Sequence, residues 1–197
     1  MSGEEVKMVL EIINTLAIVI ASGVAICGIT AWRKEFQGKR NIELAEEILA
    51  LFYEAKDAIR AIRCPLSHQC EGAMRESQQA IDSAIVYERY EKKREIFNKL
   101  GSKRYQFEAR FGTFGTEEDN PFKGLNNIII DILSAADGLS MTQSKSANND
   151  NSKNNNDWQK YMSVIYLFMP DDPITPRVNK VILGIEAICK PIIMGNK

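Results

Sequence analysis

The chain has 197 residues, 26% of them charged, and a formal net charge of −1. A balance so close to neutral excludes a domain-wide basic surface of the kind that holds nucleic acid. About 160 residues follow the first long apolar run, enough for one domain with a core of its own.

That run, Ile12 to Trp32, holds 21 uncharged and mostly apolar residues and meets Arg33-Lys34 directly. As a helix it spans roughly 30 Å, the thickness of a bilayer's hydrocarbon core. A cleaved signal peptide opens on positive charge and has a shorter apolar stretch, whereas here Glu4 and Glu5 precede the run. A buried soluble helix has more polar positions and needs a large surrounding core. The reading is a transmembrane helix over residues 8–32, a short extracytoplasmic N-terminus over 1–7, and a basic juxtamembrane segment over 33–41.

Arg33, Lys34, Lys39 and Arg40 follow the span against Glu35, while only Lys7 precedes it. Positive flanks stay cytoplasmic, so the N-terminus is expected outside and everything after Arg33 in the cytoplasm, with its thiols reduced. Trp32 stands where an interfacial aromatic anchor belongs, and the basic group is placed to meet anionic headgroups. Asn14, Ala17, Ala21 and Ala25 mark a helix-association face, with Ser22, Gly23 and Gly28 as further notches. Small residues let helices approach closely in lipid. The same residues are common in spans that stay alone.

Residues 42–197 read as helical throughout. Ile42, Ala45, Ile48, Leu49, Phe52, Ala55, Ile59 and Ile62 recur at three and four residues and predict one apolar stripe. Glu43, Glu46, Glu47, Lys56, Asp57, Arg60 and Arg63 are assigned to the solvated face, Arg60 and Arg63 pairing with Glu54 and Asp57. Pro65 ends this helix, and Gly38 weakens its junction with the span without necessarily breaking it. A second helix is expected from Glu76 to Phe111, charged over Glu88 to Glu95 and kinked or split at Gly101.

Asn120 followed by Pro121 is a start signal for a third helix, with Leu125, Ile128, Ile129, Ile132, Leu133, Ala136 and Leu139 as its stripe. Residues 140–157, rich in Asn, Ser and Lys, read as a mobile loop. Trp158, Tyr161, Met162, Ile165, Phe168 and Met169 suggest a short helix. Thr175 is the expected cap of a last one, with Val178, Val181, Ile182, Ile185, Ile188, Cys189 and Ile192 inward and a break near Pro191. No segment alternates with period two, so no sheet is expected. The predicted class is all-α, a transmembrane helix followed by a cytoplasmic antiparallel bundle of about four main helices.

The stretches Trp32-Arg33-Lys34-Glu35, Gly38-Lys39-Arg40, Glu43 to Glu47, Leu49 to Ala55 and Asp57 to Arg63 can be taken together with Asp172-Pro173-Ile174-Thr175-Pro176-Arg177. Across about half the chain they resemble a group of small bacterial single-span membrane proteins of unassigned function. The resemblance implies a bacterial inner-membrane protein with a helical cytoplasmic domain, and it carries over no activity and no functional residue.

Candidate chemistry is sparse. Cys64, His68 and Cys70 gather two thiols and the sole histidine within seven residues, the donor types zinc takes, at a spacing that matches no common zinc motif. A loop with incidental cysteines gives the same pattern. A Cys–His nucleophile pair from these residues lacks an evident oxyanion site. No HExxH, no Glu-x-x-His pair and no phosphate-cradling glycine loop occurs. The expectation is therefore a non-enzymatic, cofactor-free scaffold or interaction protein, membrane-bound, working with a protein partner or as a homo-oligomer and not with nucleic acid. The alternatives are a self-assembling membrane effector or regulator in stress or phage defence, and a metal or redox sensor at Cys64, His68 and Cys70.

Overall fold

Sixty consecutive residues, Gly3–Ile62, form one helix, α1. Gly38 does not interrupt it, because a single interior glycine costs only about 1 kcal/mol relative to alanine. Pro65 fixes its end by turning the preceding residue away from helical geometry. The computed structural model describes residues 3–66, 78–112, 114, 120–145, 151–169 and 171–195. Among these there are four further helices and no strand: α2 (Gln78–Phe111), α3 (Pro121–Lys145), α4 (Asn151–Ile165) and α5 (Ile174–Ile193). The chain divides into two compact units, Met1–Glu43 and Leu44–Lys197.

In the first unit the helix is apolar on every side from Ile12 to Trp32, and its large apolar side chains from Leu10 to Trp32 are 58% to 67% exposed. By length and composition this helix can cross a membrane.

In the second unit, α1 keeps one apolar stripe. Ala45, Ile48, Phe52, Ala55, Ile59 and Ile62 are buried in a single core that also takes in Val86, Leu100 and Phe107 of α2. Helix α3 packs against α2, α4 and α5 and contributes Ile128, Ile132, Ala136 and Leu139. Its start follows the sequence signal, since Asn120 Oδ1 accepts from the amides of Phe122 (3.0 Å) and Lys123 (3.3 Å). Phe107 gathers Phe111, Phe114 and Phe122 around itself at centroid distances of 4.7–6.0 Å, and Phe122 meets Phe52 at 5.0 Å. These edge and offset contacts suit the quadrupole of aromatic rings.

Several expectations are corrected. The predicted loop is narrower at both ends, because Ser140 to Lys145 continue α3 and Asn151 to Asp157 begin α4. Residues 146–150 lie outside the described set. Polar composition lowers helix propensity by tenths of a kcal/mol per residue, which context overrides. Helix α2 runs through Gly101 unbroken. Helix α5 runs through Pro191 to Ile193, where the missing N–H falls in the last turn and costs a single bond. Phe168 belongs to no helix and is 85% exposed.

Two glycines of α3 mark close approaches. A Cβ at Gly124 would stand 2.8 Å from Cγ2 of Val181 on α5, and one at Gly138 would meet the Tyr161 ring of α4 at 2.5 Å. Gly101 faces open space. We therefore expect opposite signs from one chemical change. Gly124→Ala should destabilise by about 1–3 kcal/mol through overpacking, and Gly101→Ala should stabilise by up to about 1 kcal/mol through helix propensity. Urea unfolding of the full-length chain followed by far-UV circular dichroism checks both; equal effects at the two sites would contradict the packing described.

Candidate functional site

Three features of the molecule bear on function, one in the first unit and two in the second. In the first unit, the few hydroxyls of the apolar segment are satisfied within their own helix. Thr15 donates to the carbonyl of Glu11, Ser22 to that of Ile18 and Thr30 to that of Ile26, each at 2.8 Å. Back-bonding of this kind leaves no hydroxyl proton seeking water. At the basic end, Trp32 and Phe36 stack at 5.6 Å and the Arg40 guanidinium lies 5.3 Å over the Phe36 ring. The spacing of four residues puts the three on one face, and cation–π attraction holds the arginine along the helix. Arg33, Lys34 and Lys39 are exposed around them. The sequence signalled Trp32 and the cations but not Phe36, whose place one turn beyond Trp32 is the available clue.

Asn14, Ala17, Ala21 and Ala25 are all exposed. Their spacings bring them to one face of a 3.6-residue helix.

In the second unit the focus is a buried ion pair. Arg63, assigned from sequence to the solvated face with Glu54 and Asp57, is 1% exposed. Its Nε donates to the carbonyl of Val164 (2.7 Å), and Nη2 donates to the carbonyls of Ser163 and Tyr166 (3.0 Å each) and to Asp172 Oδ1 (2.7 Å). Nη1 reaches Asp172 Oδ2 (3.2 Å) and Thr175 Oγ1 (3.4 Å). Its own carbonyl accepts from the amide of Leu167 at 2.9 Å. One guanidinium thus satisfies the Ser163 and Val164 carbonyls at the end of α4 and the Tyr166 carbonyl just beyond it.

Asp172 completes the arrangement by capping α5. Its Oδ1 accepts from the amides of Ile174 (2.9 Å) and Thr175 (3.2 Å), and the Thr175 hydroxyl donates to Oδ2. The cap is thus Asp172, and the expected cap, Thr175, is one of its donors. Burial alone would raise the Asp172 carboxyl; the donors from Arg63, Thr175 and the two amides outweigh it and bring the group down to about 2. Arg89, 8% exposed, closes the end of α1 by donating to the carbonyls of Ile62, Cys64 and Leu66.

The third feature is a cleft of about 500 Å³ beside this pair, between Lys56 and Arg60 of α1 and Leu167, Phe168 and Met169 after α4.

The proposed sulfur–imidazole cluster is only partly visible. Cys64 is half-buried, and His68 and Cys70 lie outside the described residues. Among the described residues no group of His, Cys, Asp and Glu is placed to hold a metal ion. Burial pushes the Cys189 thiol up to about 11, which suits core packing better than thiolate chemistry. Tyr87 is pushed up to about 12, first by burial and then by its 2.7 Å bond to Asp137. Comparison with protein-family models, curated proteins and solved structures gives no match for this chain.

The pair sets an acid limit. A carboxyl lowered from 3.8 to about 2 on folding stabilises the fold fully above pH 4, and the contribution drains away as pH falls from about 4 to 2. We expect about 2 kcal/mol lost over that window, a loss that Asp172→Asn removes. Arg63→Ala should cost about 3–5 kcal/mol at neutral pH because it leaves Asp172 and the three carbonyls unpaired. Unfolding as a function of pH tests both.

Proposed function

We propose that this protein is a membrane-anchored, non-enzymatic interaction protein, held by residues 8–32 as a single span and acting through a cytoplasmic antiparallel helical bundle over 42–197. The observation that carries the reading is the segment apolar on every side of α1, with its hydroxyls internally bonded and its lower end marked by Trp32, Phe36 and Arg40. Aqueous exposure of this much apolar surface is unfavourable at roughly 25 cal/mol per Å², while a bilayer accepts it. Four cations after the span against one before it support an N-terminus outside and the rest inside. The bacterial inner membrane is the site the sequence resemblance implies. The second unit supports a binding role through its buried ion pair and its cleft, which make a firm scaffold with a recess in it.

A second reading, a self-assembling membrane effector or regulator of stress or phage defence, is favoured by Asn14. Its side-chain amide makes no hydrogen bond among the described residues, and it shares a face with Ala17, Ala21 and Ala25, where a neighbouring helix would supply a partner. The sensor reading has no such support beyond the sequence spacing of Cys64, His68 and Cys70.

Anchoring is tested by alkaline extraction of membranes carrying the full-length chain. The protein should stay in the pellet, and Val19→Arg with Val24→Arg should shift it to the soluble or aggregated fraction, each charge costing about 3 kcal/mol at the bilayer centre. Release of the unaltered chain would end the anchor reading.

Mild-detergent extraction at native expression, with mass determination, tests the role. One stoichiometric partner is the expected outcome. A homo-oligomer dispersed by Ala21→Leu with Ala25→Leu would favour the effector instead, and a lone monomer would overturn both.

A further inference from the structure

The cleft beside the ion pair has features that the fold alone does not require. It is lined by Lys56, Ile59 and Arg60 from α1, by Phe168 and Met169 after α4, and by Val178 of α5, with Arg63 and Asp172 alongside. Its volume of about 500 Å³ falls in the range of small-ligand sites, which are mainly apolar with a few polar groups converging on them.

Charge gives the first clue. Arg63 and Asp172 neutralise each other at 2.7 Å, so the cleft's net charge comes from Lys56 and Arg60. These stand one helical turn apart and form no contact ion pair with a carboxylate among the described residues; Lys56 acts on the Glu186 carboxylate only at longer range, where Lys190 and Tyr53 are the larger influences. Two such cations on one rim favour an anion.

The second clue is Phe168. Its φ is +68°, a left-handed conformation that costs a side chain bearing a Cβ. It is also 85% exposed, so no core packing repays that cost. The residues just before it are fastened to Arg63 through the Tyr166 carbonyl (3.0 Å) and the Leu167 amide (2.9 Å). The same guanidinium that closes α4 therefore holds an aromatic ring out at the rim of the cleft.

We infer that this cleft binds a small amphipathic anion, its apolar body against Leu167, Met169, Pro176 and the Phe168 ring and its carboxylate or phosphate head between Lys56 and Arg60. The lining belongs wholly to the second unit, so the inference stands apart from the membrane reading. A free metabolite and an anionic lipid share this chemistry.

The test uses the full-length chain in nanodiscs of zwitterionic phosphatidylcholine, with phenyl phosphate as the probe and saturation-transfer NMR as the readout against empty nanodiscs. Saturable binding is expected. Lys56→Glu with Arg60→Glu should weaken it by about tenfold or more, the scale of losing a charge-assisted contact, with an unchanged circular dichroism spectrum. Phe168→Gly should weaken binding as well while leaving the melting temperature equal or higher, since glycine takes the left-handed conformation freely. A residue with only a structural role would not separate those two readouts. Repeating the titration in nanodiscs enriched in phosphatidylglycerol assigns the source: suppressed probe binding supports the site with a lipid as its anion, and unchanged binding supports it with a soluble one. No saturable signal from the unaltered protein, or equal affinity in both variants, overturns the inference.

Discussion

The second unit is drawn together at one buried cation, Arg63. Arg63 follows the last residue of α1, and its side chain holds the C-terminal carbonyls of α4 and the carboxylate that caps α5. Removing a guanidinium from water is costly, and attraction to one carboxylate does not reliably offset it. Here the cost is met by saturating the donor fork, with three backbone carbonyls, a hydroxyl and two carboxylate oxygens as acceptors. The geometry also explains why this position takes arginine and not lysine. A point charge with three donors does not serve acceptors spread around the edge of a planar fork of five.

A second constraint is the change of pattern along α1. From Ile12 to Trp32 the helix is apolar at every angle, and after Ala45 it is apolar on one stripe. The first pattern suits a surrounding apolar medium and the second a surface shared between core and water. The aromatic and basic residues from Trp32 to Arg40 lie between the two patterns, which is where side chains with an apolar body and a polar tip are useful.

Much of the helical fold was legible in the sequence because it rests on local signals. Asn120-Pro121 marks the start of α3 through backbone geometry alone, and the stripes of α1, α3 and α5 follow from the 3.6-residue period. What was not legible depends on partners far away in the chain. Arg63 reads as surface charge until Asp172 is beside it, although its place four residues after Ile59, on the line of the apolar stripe, is a local hint of burial. Asp172 is masked as a cap by Thr175, which sits at an equally plausible position before Pro176. Phe168 follows Ile165 at helical spacing, but Pro170 offers no N–H and disfavours helix in the residue before it, and Arg63 takes the Ser163, Val164 and Tyr166 carbonyls. The reading at Cys64, His68 and Cys70 rests on sequence spacing alone, since His68 and Cys70 lie outside the described residues.

The distance in sequence between Arg63 and its acceptors, 100 to 112 residues, has a consequence for the order of biogenesis. At roughly 5–20 residues per second of synthesis, Arg63 waits on the order of 5–20 s after it is made before α4 and the cap of α5 exist to receive it. During that interval the guanidinium stays hydrated and the recess beside it has no second wall. The apolar segment up to Trp32 is complete before Arg63 is even added. On the proposed reading, the anchor can therefore be committed to the bilayer while the domain behind it is still open, and the last third of the chain closes a structure whose location has already been decided.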